Sequence, residues 1–263
     1  MKNVALGQYY PGDSFMHRLD PRTKIIITLA LFVVIFMIDT FVGFACLGAF
    51  FCVLLAMSRI QVTYVMQTVR PLLFIIIITF VLNMFFYKGE TVWFEYGVIS
   101  ITQEGLVKAL FMAIRLLLLI MSTSLMTLTT TPVQLTDGLE KLAAPLAKMG
   151  VHVHEMAMMM SIALRFIPTL NDETERIQKA QTARGAEFDS GNIFKKAKNM
   201  IPLLVPLFVS AFKRADELAM AMEARCYHGG EGRTKMKVLV MGRNDWIMLA
   251  VSAAVCVVLA VFL

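Results

Sequence analysis

The chain has 263 residues, of which 58% are hydrophobic, and its formal net charge at pH 7 is +6. This hydrophobic content, together with a mean hydropathy of +0.69, exceeds that of ordinary soluble domains and predicts an integral membrane protein. The four cysteines have no CxxC spacing, which argues against a disulfide framework and against a cysteine-based metal cluster.

Five apolar runs predict membrane-spanning helices, because crossing the hydrocarbon takes about 20 residues. They cover residues 25–38, 41–57, 71–87, 106–130 and 245–263. The first run is short and needs flanking residues to complete a span. Between the third and fourth runs, residues 91–102 alternate around Gly97 and are rich in strand-forming residues, which predicts a short hairpin. We therefore expect an all-α membrane domain with about five transmembrane helices.

The positions of Lys and Arg in short loops predict the orientation, because cations are retained on the cytoplasmic side. Cations precede the first run and follow the second, at Arg18, Arg22, Lys24, Arg59 and Arg70. The alternation predicts an N-terminal membrane domain over residues 1–131, a cytoplasmic module over 132–244 and a last span over 245–263 that ends outside the cell. The apolar stretch 200–212 is predicted not to span, because it has only about 13 residues and contains two prolines.

The predicted cytoplasmic module holds 16 of the 25 Lys and Arg and 12 of the 19 Asp and Glu. Its pattern predicts three helices. The first starts at His154 and is kinked or broken at Pro168, because proline removes a backbone donor. The second runs from Asp172 to Arg184, and the third follows Pro206 to Arg225.

Two similar tripeptides, Ala183-Arg184-Gly185 and Ala224-Arg225-Cys226, end the second and third of these helices. Gly185 is suited to stop its helix in a left-handed conformation. Either arginine could be an ordinary capping cation on the last helical carbonyls. Because two such motifs lie 41 residues apart in one module, a paired docking site is the competing interpretation.

Four methionines crowd the start of the first predicted helix, at Met156, Met158, Met159 and Met160. Four in five positions wrap most of a helix, so some of them must face lipid or a partner. Two interpretations stay open: they fill a core, or they form an adaptable contact surface, for which flexible thioethers are suited.

The usual signatures of catalysis are missing from the sequence. No GxxxxGK[ST] motif occurs, so we expect no nucleotide to bind through a P-loop. His152 and His154 lie two apart, on different faces of a helix, and are not expected to bind a metal. Arg115 lies deep in the fourth run and is a functional candidate whose partner the sequence does not identify. A permease that binds substrate among its own spans remains the alternative, although no carboxylate lies deep in any run.

Several stretches together resemble one family, the transmembrane T component of energy-coupling factor transporters. They are Gly7–Ser14 (GQYYPGDS), His17–Lys24 (HRLDPRTK), Leu164–Pro168 (LRFIP) and the two arginine tripeptides. The resemblance covers essentially the whole chain. Its N-terminal sequence is most similar to that of T components that several substrate-binding subunits share.

The resemblance implies a non-catalytic scaffold in a bacterial cell membrane that serves vitamin or metal uptake. The implied partners are two cytosolic ATP-binding-cassette ATPases and one or several small substrate-binding membrane subunits, with no nucleic acid. ATP and Mg would be bound by those ATPases, and this chain would carry no cofactor. The implied ATPase-coupling residues are Ala183, Arg184, Gly185, Ala224, Arg225 and Cys226, where Cys226 departs from the usual glycine; Met156, Met159 and Met160 would contact a substrate subunit.

Overall fold

Helices form at every apolar run of the chain in the computed structural model, which describes residues 9–87, 91–96, 99–188, 192–229 and 238–262. The first two residues of the N-terminal motif, and Gly97 of the predicted hairpin, lie outside these ranges. The chain divides into two compact units, Met1–Lys141 with Leu239–Leu263, and Leu142–Val238. These units are defined by packing, whereas the predicted domains were defined by membrane side, so the domain bounds 1–131, 132–244 and 245–263 stay a prediction.

The elements of the first unit follow the apolar pattern closely. In chain order they are α1 (Phe15–Arg18), α2 (Pro21–Met37), α3 (Phe41–Ser58), α4 (Val62–Val69), a 3-10 turn (Arg70–Leu72), α5 (Leu73–Phe86), the antiparallel strands β1 (Val92–Tyr96) and β2 (Ile99–Thr102), α6 (Gln103–Thr129), α7 (Pro132–Ala147), which continues into the second unit, and α11 (Arg243–Phe262). The predicted hairpin is confirmed.

Among the described residues, three helical segments are long and apolar enough to cross a membrane: Phe41–Ser58, Val62–Phe86 and Gln103–Thr129. The α-helical membrane fold is therefore confirmed, while the count of five spans stays a prediction. The segment Val62–Phe86 corresponds to the third predicted run and starts earlier than residue 71, because α4 and the 3-10 turn lead directly into α5.

The core of the first unit lies where α2 and α6 meet their neighbours. The helix α2 packs on α6 and α11, and α6 also packs on α3, α4 and α5. The most deeply buried large side chains are Leu31, Ile35, Ile38, Leu47, Phe51 and Leu54. On α5 the only buried residue is Ile76, and most of the other apolar side chains are exposed, as expected of a helix that faces lipid.

A buried polar cluster ties the N-terminal motif to the last helix. Asp20 caps α2 by accepting from the Arg22 backbone N–H (2.9 Å), and its own backbone N–H donates to Asp245 Oδ1 (2.7 Å). The Gly242 N–H donates to Asp245 Oδ2 (2.8 Å). The Arg22 guanidinium bonds both Asp20 oxygens and the Leu239 carbonyl. The Asp-Pro-Arg stretch therefore has a structural task, which is to fix α11 against the start of α2.

The second unit contains three further helices, α8 (Val153–Ala183), α9 (Ile193–Asn199) and α10 (Ile201–Glu223). Two helix boundaries predicted from prolines are wrong, because Pro168 lies inside a continuous α8 and Pro206 lies inside α10. An interior proline costs about 3 kcal/mol, and α8 packs against α10 on both sides of Pro168, which offsets that cost. Pro202 falls in the first turn of α10, where its missing N–H has no helical acceptor.

Candidate functional site

The first arginine tripeptide closes α8 with two backbone hydrogen bonds around a left-handed residue. The Ala186 N–H donates to the Gln181 carbonyl (3.0 Å), and the Gly185 N–H donates to the Thr182 carbonyl (3.0 Å). Gly185 has φ +88°, the left-handed conformation that this helix ending requires and that glycine adopts without strain. The predicted stop at Gly185 is confirmed.

The second tripeptide closes α10 in the same way, with each partner displaced by 41 residues. The Tyr227 N–H donates to the Met222 carbonyl (3.0 Å), and the Cys226 N–H donates to the Glu223 carbonyl (2.8 Å). Cys226 takes the left-handed conformation at φ +57°. Replacing glycine by cysteine therefore preserves the helix ending, at a conformational cost of about 1 kcal/mol.

Arg184 and Arg225 are the residues immediately before the two left-handed positions, just beyond the last helical residues of α8 and α10. Both are exposed. In the part of the chain that the structure describes, neither guanidinium has an ion-pair partner or a hydrogen bond to a helix carbonyl. The capping interpretation thus has no contact to support it, and both charges are available to another molecule.

The helices that carry the two arginines are joined at their middles. On α8, Glu173 accepts hydrogen bonds from Ser210 and from Arg214 Nη2 (2.8 Å) on α10. Arg184 and Arg225 each lie 11 residues beyond Glu173 and Arg214 respectively, which is about 16 Å along a helix.

The two arginines lie at opposite ends of this helix pair. Arg225 and the residues after it line one cavity with α8 residues from Met158 to Arg165, which precede Glu173. Arg184 follows Glu173 on the same helix, so the two arginines are separated by about 30 Å. One partner bound at each end would therefore be held at a defined distance from the other.

Arg165 is a functional candidate that was not predicted as a site residue. It lies 60 residues before Arg225 in the sequence, and both line the same cavity because α8 and α10 pack together. Sequence spacing carries no signal of this contact. The tie between Glu173 and Arg214, which reveals how the helices align, is visible only in the structure.

The three methionines Met156, Met159 and Met160 are each more than half exposed, whereas Met158 lines the cavity beside α10. The interpretation that these three methionines fill a core therefore fails within the second unit. Contact with a partner remains a prediction.

Arg115 has a partner in the end of another helix. From α6 its guanidinium donates to the carbonyls of Ile35 (3.2 Å) and Ile38 (2.7 Å) and to the Asp39 carboxylate (2.9 Å). These are the unsatisfied carbonyls at the C-terminus of α2, where a cation is stabilised by the helix dipole. The signal in the sequence was Asp39 itself, a carboxylate at the edge of an apolar run. The residues that the structure describes contain no group of three or more metal-ligating side chains.

An α-helical membrane domain combined with a module that exposes two similarly built arginine ends defines the class of membrane proteins that can bind partner molecules through a basic module. A model of the CbiQ family, described as cobalt transport protein, matches residues 12–236. The chain is 55% identical to the energy-coupling factor transporter transmembrane protein EcfT of Thermosediminibacter oceani, over 93% of this chain and 92% of that protein. It is 52% identical to EcfT of Clostridium kluyveri (98% and 96% covered) and 47% identical to EcfT of Bacillus subtilis (100% and 99%).

The chain therefore belongs to the family of energy-coupling factor transporter transmembrane components, as the resemblance in its sequence predicted. It is a membrane-embedded component of a transporter that works with partner subunits.

Proposed function

We propose that this chain is the non-catalytic coupling subunit of an ATP-driven vitamin or metal importer. In this role it joins two cytosolic ATP-binding-cassette ATPases, which bind ATP and Mg, to a small substrate-binding membrane subunit. The second unit lies in the cytoplasm in this proposal, as the distribution of Lys and Arg predicts.

The observation that carries the proposal is the pair of arginine ends. The same two hydrogen bonds and a residue in the same left-handed conformation build both ends, and both leave an exposed guanidinium without a partner among the described residues. A planar guanidinium is suited to bidentate recognition of a carboxylate on a partner surface. Two equivalent ends about 30 Å apart suit two related partners, such as a pair of ATPases.

The mechanism is mechanical. When the two ATPases close on ATP, the surfaces that hold Arg184 and Arg225 move relative to each other. Glu173 joins α8 to α10 through its hydrogen bonds with Ser210 and Arg214. A displacement of either arginine end is therefore passed to both helices and changes their alignment. The exposed methionines Met156, Met159 and Met160 transmit the change to the substrate subunit, which reorients and releases its cargo inward.

The exposed thioethers also suit a surface that repacks against different partners. We therefore infer that several substrate subunits share this one chain. Competition between two substrate subunits co-expressed with limiting amounts of the chain tests this inference: each should reduce the recovery of the other.

Reversing the charge of each arginine tests the proposal. The chain, its two ATPases and a substrate subunit are co-expressed and purified through a tag on this chain, and the amount of ATPase per chain is measured. Arg184→Glu and Arg225→Glu should each lower the amount of ATPase bound at one of the two sites at least tenfold. The reason is that truncating one partner of a desolvated charge pair costs about 2 to 5 kcal/mol. The matched control is Arg176→Glu, an exposed cation in the interior of α8.

Full retention of both ATPases in Arg184→Glu and Arg225→Glu contradicts the proposal. Substrate uptake by vesicles that contain this chain without any ATPase would instead support the self-contained permease.

A further inference from the structure

A cavity of about 680 Å³ lies between α8 and the end of α10 and includes Arg225 in its wall. On α8 its lining residues recur at three- and four-residue steps, so they form one face of that helix. They are Met158, Ser161, Ile162 and Arg165. From α10 and the segment after it, the wall is completed by Leu218, Met222 and residues 225–229.

The charged part of the wall is basic. Arg165 and Arg225 contribute two guanidinium groups, and His228 adds an imidazole. No acidic side chain is found among the described residues that line the cavity. Both arginines are exposed, so their charges face an opening that solvent or a partner can enter. An anionic group is the ligand that this arrangement favours.

The left-handed turn at Cys226 is what completes the cavity. Because φ is positive at this residue, the chain turns back beyond the helix end, and Tyr227, His228 and Gly229 become part of the wall. The Tyr227 N–H bond to the Met222 carbonyl (3.0 Å) fixes this return. The helix ending therefore presents Arg225 and also shapes the pocket beside it.

We propose that this cavity receives an acidic side chain of the ATPase that docks at Arg225, and that Arg165 binds the same acidic region as a second guanidinium. This inference rests on the proposed function and specifies the chemistry of one of its two docking sites. A carboxylate on a protein surface fits better than a free small anion, because the two arginines are exposed and do not enclose a ligand.

The proposal makes the two docking sites unequal. In the 41-residue offset that relates α8 to α10, the position that corresponds to Arg165 is Pro206, which carries no charge. The Arg184 end therefore lacks this second guanidinium. Loss of the Arg165 charge should weaken one ATPase contact and leave the other unchanged.

The test uses the intact complex and measures the ATPase recovered per chain for Arg165→Glu, with Arg176→Glu on the same helix as the control. Arg165→Glu should lower the recovery about tenfold at the site that Arg225→Glu affects, and not at the Arg184 site. Arg165→Met, which keeps the apolar stem of the side chain, should show the same selective loss in a smaller degree. Arg165→Lys should retain part of the binding, with a stronger dependence on salt.

The outcomes separate this inference from the proposed function. If Arg225→Glu releases an ATPase while both Arg165→Glu and Arg165→Met retain it at the wild-type level, the assignment of the cavity is overturned and the coupling role stands. Equal loss at both sites in Arg165→Met would also overturn it, because the effect would not be local to the cavity. If Arg184→Glu and Arg225→Glu both retain the ATPases, the proposed function itself fails.

Discussion

Three cations of the first unit and the three arginines of the candidate site in the second unit are used in opposite ways. In the first unit Arg22, Lys24 and Arg115 are all committed to internal partners, and Lys24 donates from a buried position to the Thr129 carbonyl (2.8 Å) and to Thr130 Oγ1. In the second unit Arg165, Arg184 and Arg225 are exposed and have no ion-pair partner within the described residues. A cation in an apolar environment must be paired, whereas one in a hydrated module can be kept free for another molecule.

The contrast is sharpest between Arg115 and Arg184, since both lie beside the C-terminus of a helix. Arg115 reaches from α6 to the end of α2 and satisfies its carbonyls there. Arg184 ends its own helix, where the Gln181 and Thr182 carbonyls already accept from backbone N–H groups of the following turn. The ending of α8 therefore makes the arginine side chain dispensable for capping. The predictions below test whether the paired charges of the first unit act in stability while the exposed arginines of the second unit act in binding.

The largest expected effect on stability is at Asp245. Asp245→Ala removes two charge-assisted hydrogen bonds to the buried backbone N–H of Asp20 and to that of Gly242, and should lower the free energy of unfolding by about 3 kcal/mol. Thermal unfolding of the purified protein in detergent measures the change. The control is Asp13→Ala, which removes a surface pair with Arg18 (3.9 Å) and should cost less than about 0.5 kcal/mol. Equal shifts in the two variants would contradict the structural role of the buried cluster.

A smaller loss of folding stability is expected when Arg115 is replaced. Arg115→Met leaves the Ile35 and Ile38 carbonyls without this donor and should cost about 2 kcal/mol. Lys108→Met is the comparison, because Lys108 lies over the Tyr87 ring (4.3 Å) at an exposed site and should contribute less than about 1 kcal/mol. Folded Arg115→Met protein should still recover both ATPases. Loss of ATPase binding with unchanged unfolding would assign Arg115 to function and break the contrast between the units.

Much of this fold was predictable from the sequence, because apolar runs and their flanking charges determine where helices form. The positions of the membrane helices, the hairpin and the stop at Gly185 all followed from local patterns. The predicted break at Pro168 and the predicted start of a helix after Pro206 are wrong, because the local cost of a proline is outweighed by packing between α8 and α10. Local propensity does not contain that tertiary term.

The candidate site was predictable only in part, because local sequence patterns do not contain tertiary contacts. Arg184 and Arg225 were identified by a repeated tripeptide, which is a local signal. The place of Arg165 beside Arg225 depends on the register of two helices, and the identity of the Arg115 partner depends on how α6 meets α2. Both arrangements bring together residues at least 60 positions apart, so only the folded chain could show them.

The ends of α8 and α10 allow a direct comparison of glycine with cysteine at the left-handed position. Cys226→Gly should stabilise the end of α10 by about 1 kcal/mol, and Gly185→Ala should destabilise the end of α8 by about the same amount. Hydrogen exchange at the Tyr227 and Ala186 amides measures these local changes. Cys226→Ser keeps the strain while removing the thiol and should leave exchange unchanged. Slower exchange in the serine variant would show that the thiol, and not the backbone conformation, sets the stability there.

The smallest perturbation is chemical labelling of the native Cys226 thiol, which tests on which side of the membrane the second unit lies. The side chains of Cys46, Cys52 and Cys226 are all exposed. The first two lie on α3, an apolar helix long enough to span, so we expect lipid to cover them. A membrane-impermeant thiol reagent should therefore label Cys226 in inside-out vesicles and leave intact cells unlabelled, with Cys226→Ser as the blank. Bound ATPase should slow the reaction, because the thiol lies beside Arg225. Labelling of Cys226 in intact cells would place the second unit outside, where no ATP-driven partner could reach either arginine.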